Sequence, residues 1–228
     1  GLPFGLMPKN FEGWADESIR KLGVHATTHI DAPIHYASAS EGKPAESIEA
    51  IPLEQCIGPG VVLDMSYKED GDPITVQDLE DELARIDAVI DEGTITLIRT
   101  DRDQFHFEKD FWSRGTGMSA AATEWLIDKG SRVMGIDQWG WDVPFKYHIE
   151  RAKTEKRDDL FWEAHRVGIH KKYWHMEQLT NLSALPPKGF TVYVMPLKLK
   201  GASAAPRGLS PFLMSQIDAK WSSFEPAQ

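Results

Sequence analysis

VVLDMSYKEDGDPITVQDLEDELARIDAVIDEGTITLIRT, residues 61–100, sets out a strand, a helix and a strand in turn. Val61 to Met65 has the length and β-branching of a short buried strand. Thr75, followed three residues on by Asp78, forms a capping box, in which each side chain takes the other residue's unpaired backbone N–H. Leu79, Leu83, Ile86 and Ile90 then recur at helical spacing, with Gly93 as the expected stop. Thr94 to Thr100 (TITLIRT) returns to β-branched character. Further along, Ser119 is placed to cap a second helix through Trp125 and Leu126 that ends at Gly130. Arg132 to Asp137 (RVMGID) supplies a third strand. This alternation predicts an α/β core with some parallel pairing, because parallel neighbours need a crossover and a helix is the usual one. Further on, Phe190 to Lys200 (FTVYVMPLKLK) reads as a long strand in which Pro196 demands an edge or a bulge. No repeat, low-complexity tract or linker interrupts the chain, so residues 1–228 are read as a single domain.

Composition narrows the function classes. The formal net charge of −10 excludes a nucleic-acid binder built on a basic face, since such a protein must neutralise phosphates. The run Lys153, Lys156, Arg157 is interleaved with acids and reads as a solvated surface. Cys56 is the single cysteine, so no internal disulfide forms and a reducing cytoplasm is expected. It lies in an apolar stretch and is read as a small buried hydrophobe. No apolar run reaches the roughly 18 residues of a membrane span, so no membrane partner is expected.

The chemistry concentrates in His25-Ala-Thr-Thr-His29-Ile-Asp31-Ala-Pro-Ile-His35. The chain has 8 histidines in 228 residues, and three of them fall in this short segment beside an aspartate. Imidazole nitrogen and carboxylate oxygen are ligands that Zn²⁺, Mn²⁺ and Fe²⁺ accept. A straight strand would hold His25 and His29 about 13 Å apart. A helix is opposed by Pro33 and by the β-branched pair Thr27-Thr28. The segment must therefore curl near residues 26–28.

His25-x-x-Thr28-His29-x-Asp31-x-Pro33-x-His35 resembles the signature of the cyclase family of metal-dependent hydrolases, the family of bacterial kynurenine formamidase and isatin hydrolase. That signature usually has glycine where Thr27 stands, which points to a backbone conformation difficult for a β-branched residue. Leu97 to Thr100, Gly117-Met118-Ser119, Val133 to Asp137, Ala164-His165 and Leu182 to Pro186 extend the likeness across residues 25–213. The family's N-terminal strand is not recognisable in residues 1–24. The resemblance implies a swivelling β/β/α-type fold, compatible with the α/β reading.

Several roles follow from the resemblance alone. His25, His29 and Asp31 resemble the ligands of one metal, and His165 a ligand of a second. Asp31 and Glu177 resemble bridging carboxylates, and His35 resembles the acid/base. Spacing and composition by themselves do not separate His165 from His170 or His175. A divalent transition metal is implied, Zn or Mn first, with two ions per chain. Such an ion acidifies water and polarises a carbonyl, while histidine carries a proton near neutral pH. The activity implied is hydrolysis of an amide, cyclic amide or imide, or arylformamide C–N bond. A lactone hydrolase on the same site is the alternative, and a non-catalytic metal- or ligand-binding protein is the rival from another class. No Gly-x-Ser-x-Gly elbow occurs, which disfavours a serine hydrolase.

Eight tryptophans are many for this length. Trp139, Trp141 and Phe145 follow the strand ending at Asp137 and are read as pocket walls for a cyclic or aromatic small molecule. The tryptophan excess also fits a subunit contact. With the family resemblance it predicts a homodimer or homotetramer.

Overall fold

The computed structural model describes residues 18–157, 160–206 and 209–213. An eight-stranded mixed sheet organises them. In chain order its strands are β1 (His29–Asp31), β2 (Ile57–Asp64), β3 (Ile95–Arg99), β4 (Val133–Ile136), β5 (Trp174–Glu177), β6 (Phe190–Val194), β7 (Ala204–Pro206) and β8 (Leu209–Leu213). Across the sheet the order is β7-β1-β5-β4-β3-β2-β6-β8. The central run β2, β3, β4, β5 is parallel. On one flank β1 is antiparallel to both β5 and β7, and on the other β6 is antiparallel to both β2 and β8. Helix α1 (Val76–Arg85) makes the crossover from β2 to β3, and α2 (Ala120–Asp128) the crossover from β3 to β4. This is the α/β core that the alternation predicts. The expectation about residues 1–24 falls mostly on residues 1–17, outside the described residues.

The helix starts are those read from the caps. Asp78 N donates to Thr75 Oγ1 at 3.2 Å, and Thr75 N donates to Asp78 Oδ2 at 2.7 Å, the two halves of the capping box. Ser119 Oγ accepts from Ala122 N at 3.2 Å. The end of α1 differs from the expectation. The helix stops at Arg85, before Ile90, because Asp87 turns left-handed at φ 50°. Ala88 N then reaches back to Leu83 O, and Asp87 N to Ala84 O, the paired bonds of a Schellman motif. Ile86 and Ile90 are still buried, so their apolar spacing records packing beyond the helix rather than more helix. The strand expected over residues 190–200 also ends early, at Val194. It lies between β2 and β8, with no bulge at Pro196. Proline has no N–H for the ladder, so the strand terminates before it.

Alternation sorts the strand residues onto two faces. Val61 and Leu63 face Leu79, Leu83, Ala122 and Leu126 of α1 and α2. Val62, Ile95, Leu97 and Val133 turn to the other side, where Ile48, Ile51, Cys56 and Leu182 cover them from single-turn 3₁₀ segments. The same rule places Ile30 of β1 and Trp174 and Met176 of β5 on that second face. Their neighbours in sequence, His29, Asp31, His175 and Glu177, must therefore point to the first.

Candidate metal centre

The site begins with the pairing of β1 and β5. Their antiparallel register sets His29 opposite Glu177 and Asp31 opposite His175. Directly opposed side chains on one face lie within contact of each other. Two histidines and two carboxylates are thereby collected from four strand positions. Asp31 and His175 are fully buried, and His29 and Glu177 nearly so.

Before β1 the chain curls, as its residues require. Residues 24–28 are turns and bends, with Ala26 N donating to Gly23 O at 3.1 Å. Thr27 sits at φ 56°, the left-handed conformation that its place in the motif points to. This strain has a use: Thr27 O is turned to accept from His29 Nδ1 at 2.7 Å, leaving Nε2 to face the cluster. A left-handed β-branched residue costs about 1–2 kcal/mol, and glycine gives back about 0.5–1 kcal/mol through the unfolded chain. Thr27→Gly is therefore expected to stabilise the ion-free protein by up to about 1 kcal/mol in denaturant unfolding. A loss of stability would show that the turn is not strained.

The curl brings His25 back over Asp31, with Nδ1 2.8 Å from Asp31 Oδ1 and Nε2 2.9 Å from Ser203 Oγ. Pro33 opens a single 3₁₀ turn that returns His35 to the same place. Its Nε2 is 3.7 Å from Asp31 Oδ2, and its ring centre is 4.1 Å from that of His25. His165 arrives on α3 (Glu163–Arg166), a short helix whose N-terminal neighbour Trp162 is left-handed at φ 58°. His165 Nε2 lies 3.4 Å from Glu177 Oε1 and 4.0 Å from Asp31 Oδ2. All six residues expected from the motif and its resemblance thus converge.

Three residues join them that the sequence reading did not select. His175 Nε2 is 3.2 Å from His165 Nε2, 3.3 Å from Glu177 Oε1 and 3.4 Å from Asp31 Oδ2. Its signal is the alternation His175-x-Glu177, which puts both on one face once residues 174–177 are read as a strand. Asp142 is the second. It accepts from Ala164 N and His165 N, and its Oδ2 meets His165 Nδ1 at 2.5 Å. Gly117 makes room for it, since a Cβ there would collide with the Asp142–Val143 backbone. Trp162 is the third, stacked on His165 with ring centres 4.5 Å apart.

Asp142 fixes which nitrogen of His165 faces the cluster, the usual task of a carboxylate behind a ligating imidazole. Asp142→Asn is expected to weaken divalent-ion affinity by about 10–100-fold, measured by competition with a chelating dye. Unchanged affinity would remove Asp142 from the site.

The charge pattern asks for a cation. Burial pushes the Asp31 carboxyl up, but the close imidazoles of His175, His25 and His29 outweigh it and hold it well below the usual range. Burial likewise raises Glu177, and His165 and His175 bring it down further than burial raises it. Burial lowers His165, yet Asp142 and Glu177 drive it up to about 10. Two nearly inaccessible carboxylates stay ionised here, which only facing positive charge makes tolerable. His29 Nε2 and both Asp31 oxygens are buried without an aligned hydrogen bond. Such atoms fit a metal ion better than a hydrogen-bond network. The groups Asp31, His165, His175, Glu177 and His25, His29, Asp31 each bring one ligand atom per residue within 4.8 Å of the others.

The cluster opens into a cleft of about 170 Å³. Its walls include Trp112, Arg114, Trp139, Phe145 and Trp162. Trp139 meets Phe145 edge to face at 5.8 Å and is partly exposed, as a wall residue would be. Trp141 also lines the cleft, as expected of it, but not as an open wall. Its indole is fully buried and donates to Thr123 Oγ1 at 3.0 Å, while its backbone N–H donates to Glu177 Oε1 at 2.8 Å. It supports the floor from beneath. Among the described residues no helix is long and apolar enough to cross a membrane.

Comparison with known proteins agrees with this geometry. The family model described as "Putative cyclase" matches residues 6–143. Kynurenine formamidase of Bordetella avium is 29% identical over 186 residues, covering 81% of this chain and 75% of that protein. The structure of isatin hydrolase A from Ralstonia solanacearum superposes with a TM-score of 0.71 at 27% identity, covering 84% of this chain and 73% of that one. A structure described as a potential metal-dependent hydrolase with cyclase activity gives 0.60 at 28% identity, covering 83% and 79%.

Proposed function

The chain belongs to the cyclase family, and on that premise we propose that it is a metal-dependent hydrolase cleaving the C–N bond of a small aromatic or cyclic amide. The observation that carries the reading is the convergence of the buried His29, Asp31, His165 and Glu177 with the partly exposed His25 beneath an aromatic cleft, with His35 at its edge. Relatives named for kynurenine formamidase and isatin hydrolase activity support amides over lactones.

His25, His29 and Asp31 would hold one divalent ion, and His165 and Glu177 with Asp31 a second, Zn or Mn by ligand type. The ion supplies Lewis acidity towards a carbonyl and towards water. The other steps belong to the protein. Trp139, Phe145 and Trp162 sandwich a flat substrate and exclude water around it. The cleft is of the size that takes about one small ring system, since an apolar cavity of roughly 150 Å³ admits benzene. His35 stands at the boundary between cluster and cleft, its side chain 22% exposed. Burial lowers its pKa to about 4, against the pull of Asp31, so the ring is neutral at neutral pH, with one nitrogen free to accept a proton. It takes the proton of the attacking water and delivers it to the leaving nitrogen.

The test is to strip the protein with chelator, reload it with Zn²⁺ or Mn²⁺ singly, and assay arylformamides, cyclic imides and lactones. Hydrolysis of a C–N substrate that disappears on stripping and returns on reloading supports the proposal. Metal bound without turnover of any class would favour the non-catalytic binding protein, and turnover of lactones alone the C–O alternative. The single domain, the reducing cytoplasmic setting and a homodimer or homotetramer belong to the same proposal. A monomeric mass by light scattering would contradict the assembly.

A further inference from the structure

We propose that His175 is a fourth protein ligand, so that the inner position, Asp31, His165, His175 and Glu177, is a closed site and the outer position, His25, His29 and Asp31, is the open one. The proposal rests on reading the cluster as a metal centre and assigns its two positions unequal roles.

The argument begins with separations. For metal–ligand bonds of roughly 2.0–2.1 Å, the ligand atoms of a tetrahedron stand about 3.3–3.4 Å apart. Around His175 Nε2 the distances are 3.2 Å to His165 Nε2, 3.3 Å to Glu177 Oε1 and 3.4 Å to Asp31 Oδ2. His165 Nε2 to Glu177 Oε1 is 3.4 Å, His165 Nε2 to Asp31 Oδ2 is 4.0 Å, and the ligand atoms of the four residues all lie within 4.8 Å of one another. Four atoms of the right types therefore sit close to the corners of one tetrahedron.

The surroundings of His175 point the same way. It is fully buried. Trp141, Tyr173 and Tyr36 pack round the ring at centre distances of 5.5, 5.3 and 6.1 Å, which holds Nε2 on the carboxylates. Four protein ligands leave no vacancy for substrate, the mark of a structural position. The outer position has three, and His25 lies at the cleft. The inner position is accordingly the tighter one, and it orients Asp31, which the outer position shares.

Metal-free protein titrated with Co²⁺ tests this by calorimetry and by the visible spectrum. Wild type is expected to bind two ions in separable steps, the first with the intense bands of tetrahedral cobalt. In His175→Leu the first step should weaken at least about 100-fold, beyond the usual cost of a lost supporting contact, and the tetrahedral bands should fade. A folded His175→Leu with both unchanged overturns the proposal and leaves the metal-centre reading intact. Wild type that binds no ion overturns both. If His175→Leu does not fold, His25→Ala replaces it, since His25 lies on a partly exposed turn. X-ray absorption of that variant with one Zn²⁺ per chain should count two imidazoles at the ion besides any from His29. One imidazole in total would overturn the proposal.

Discussion

His35→Gln is expected to lower turnover by about 10²–10⁴-fold while leaving ion content and folding nearly unchanged. His35 Nε2 stands 3.7 Å from Asp31 Oδ2, farther than His25, His29 or His175 from that carboxylate. It belongs to neither of the groups whose ligand atoms converge. Its ring instead packs edge-on against Trp162, at 5.2 Å, where the cleft meets the cluster. Glutamine keeps a polar group of similar reach but has no basic nitrogen to receive a proton. Hydrolysis still needs a proton moved from water to the leaving nitrogen, so the loss should appear in kcat more than in KM. It should also be smallest for substrates with good leaving groups, which need that proton least. Elemental analysis, circular dichroism and rates on two such substrates suffice. Should His35→Gln empty the site, His35 is a ligand and the division of roles is wrong.

What the sequence disclosed, and what it withheld, follows from the range of the interactions. The capping box at Thr75 and Asp78 and the Ser119 cap are complete within four residues, so both helix starts were legible. The curl at residues 26–28 was legible because Pro33 and Thr27-Thr28 oppose a helix and a straight strand would part His25 from His29, and Thr27 adopts φ 56° there. His165 and Glu177 came from resemblance, since nothing local distinguishes His165 from His170. His175 was hidden because its importance depends on the register of β5 against β1, which pairs it with Asp31 across 144 positions of sequence. Asp142 acts on His165 from another loop, through a bond no local pattern announces. The end of α1 was misplaced because Ile90 is buried by tertiary packing after the chain has already left the helix.

Asp31→Ala is expected to abolish both ion binding and activity, the latter by more than about 10³-fold, and to remove the stabilisation that added metal gives wild type. Asp31 is the one residue common to both convergent groups. Oδ1 faces His25 and His29, while Oδ2 faces His175, His35 and His165. Deleting it leaves five imidazoles with Glu177 as the one carboxylate among them and Asp142 behind His165. Removing one partner of a buried charge cluster costs about 3–5 kcal/mol, so the ion-free variant should also be less stable than ion-free wild type. The pH dependence separates this from simple cavity formation. The carboxyl is held below its ordinary value of 3.8, so its contribution is present above about pH 4 and is lost as pH falls below that. Ion-free wild type should therefore lose stability on acidification through this range more steeply than Asp31→Ala. Asp31→Asn, which keeps the shape without the charge, should follow the alanine variant. Unfolding midpoints between pH 3 and 7, with and without Zn²⁺, check all three expectations. If Asp31→Asn retains two ions with wild-type affinity, Asp31 is not the shared carboxylate and the two positions do not depend on it.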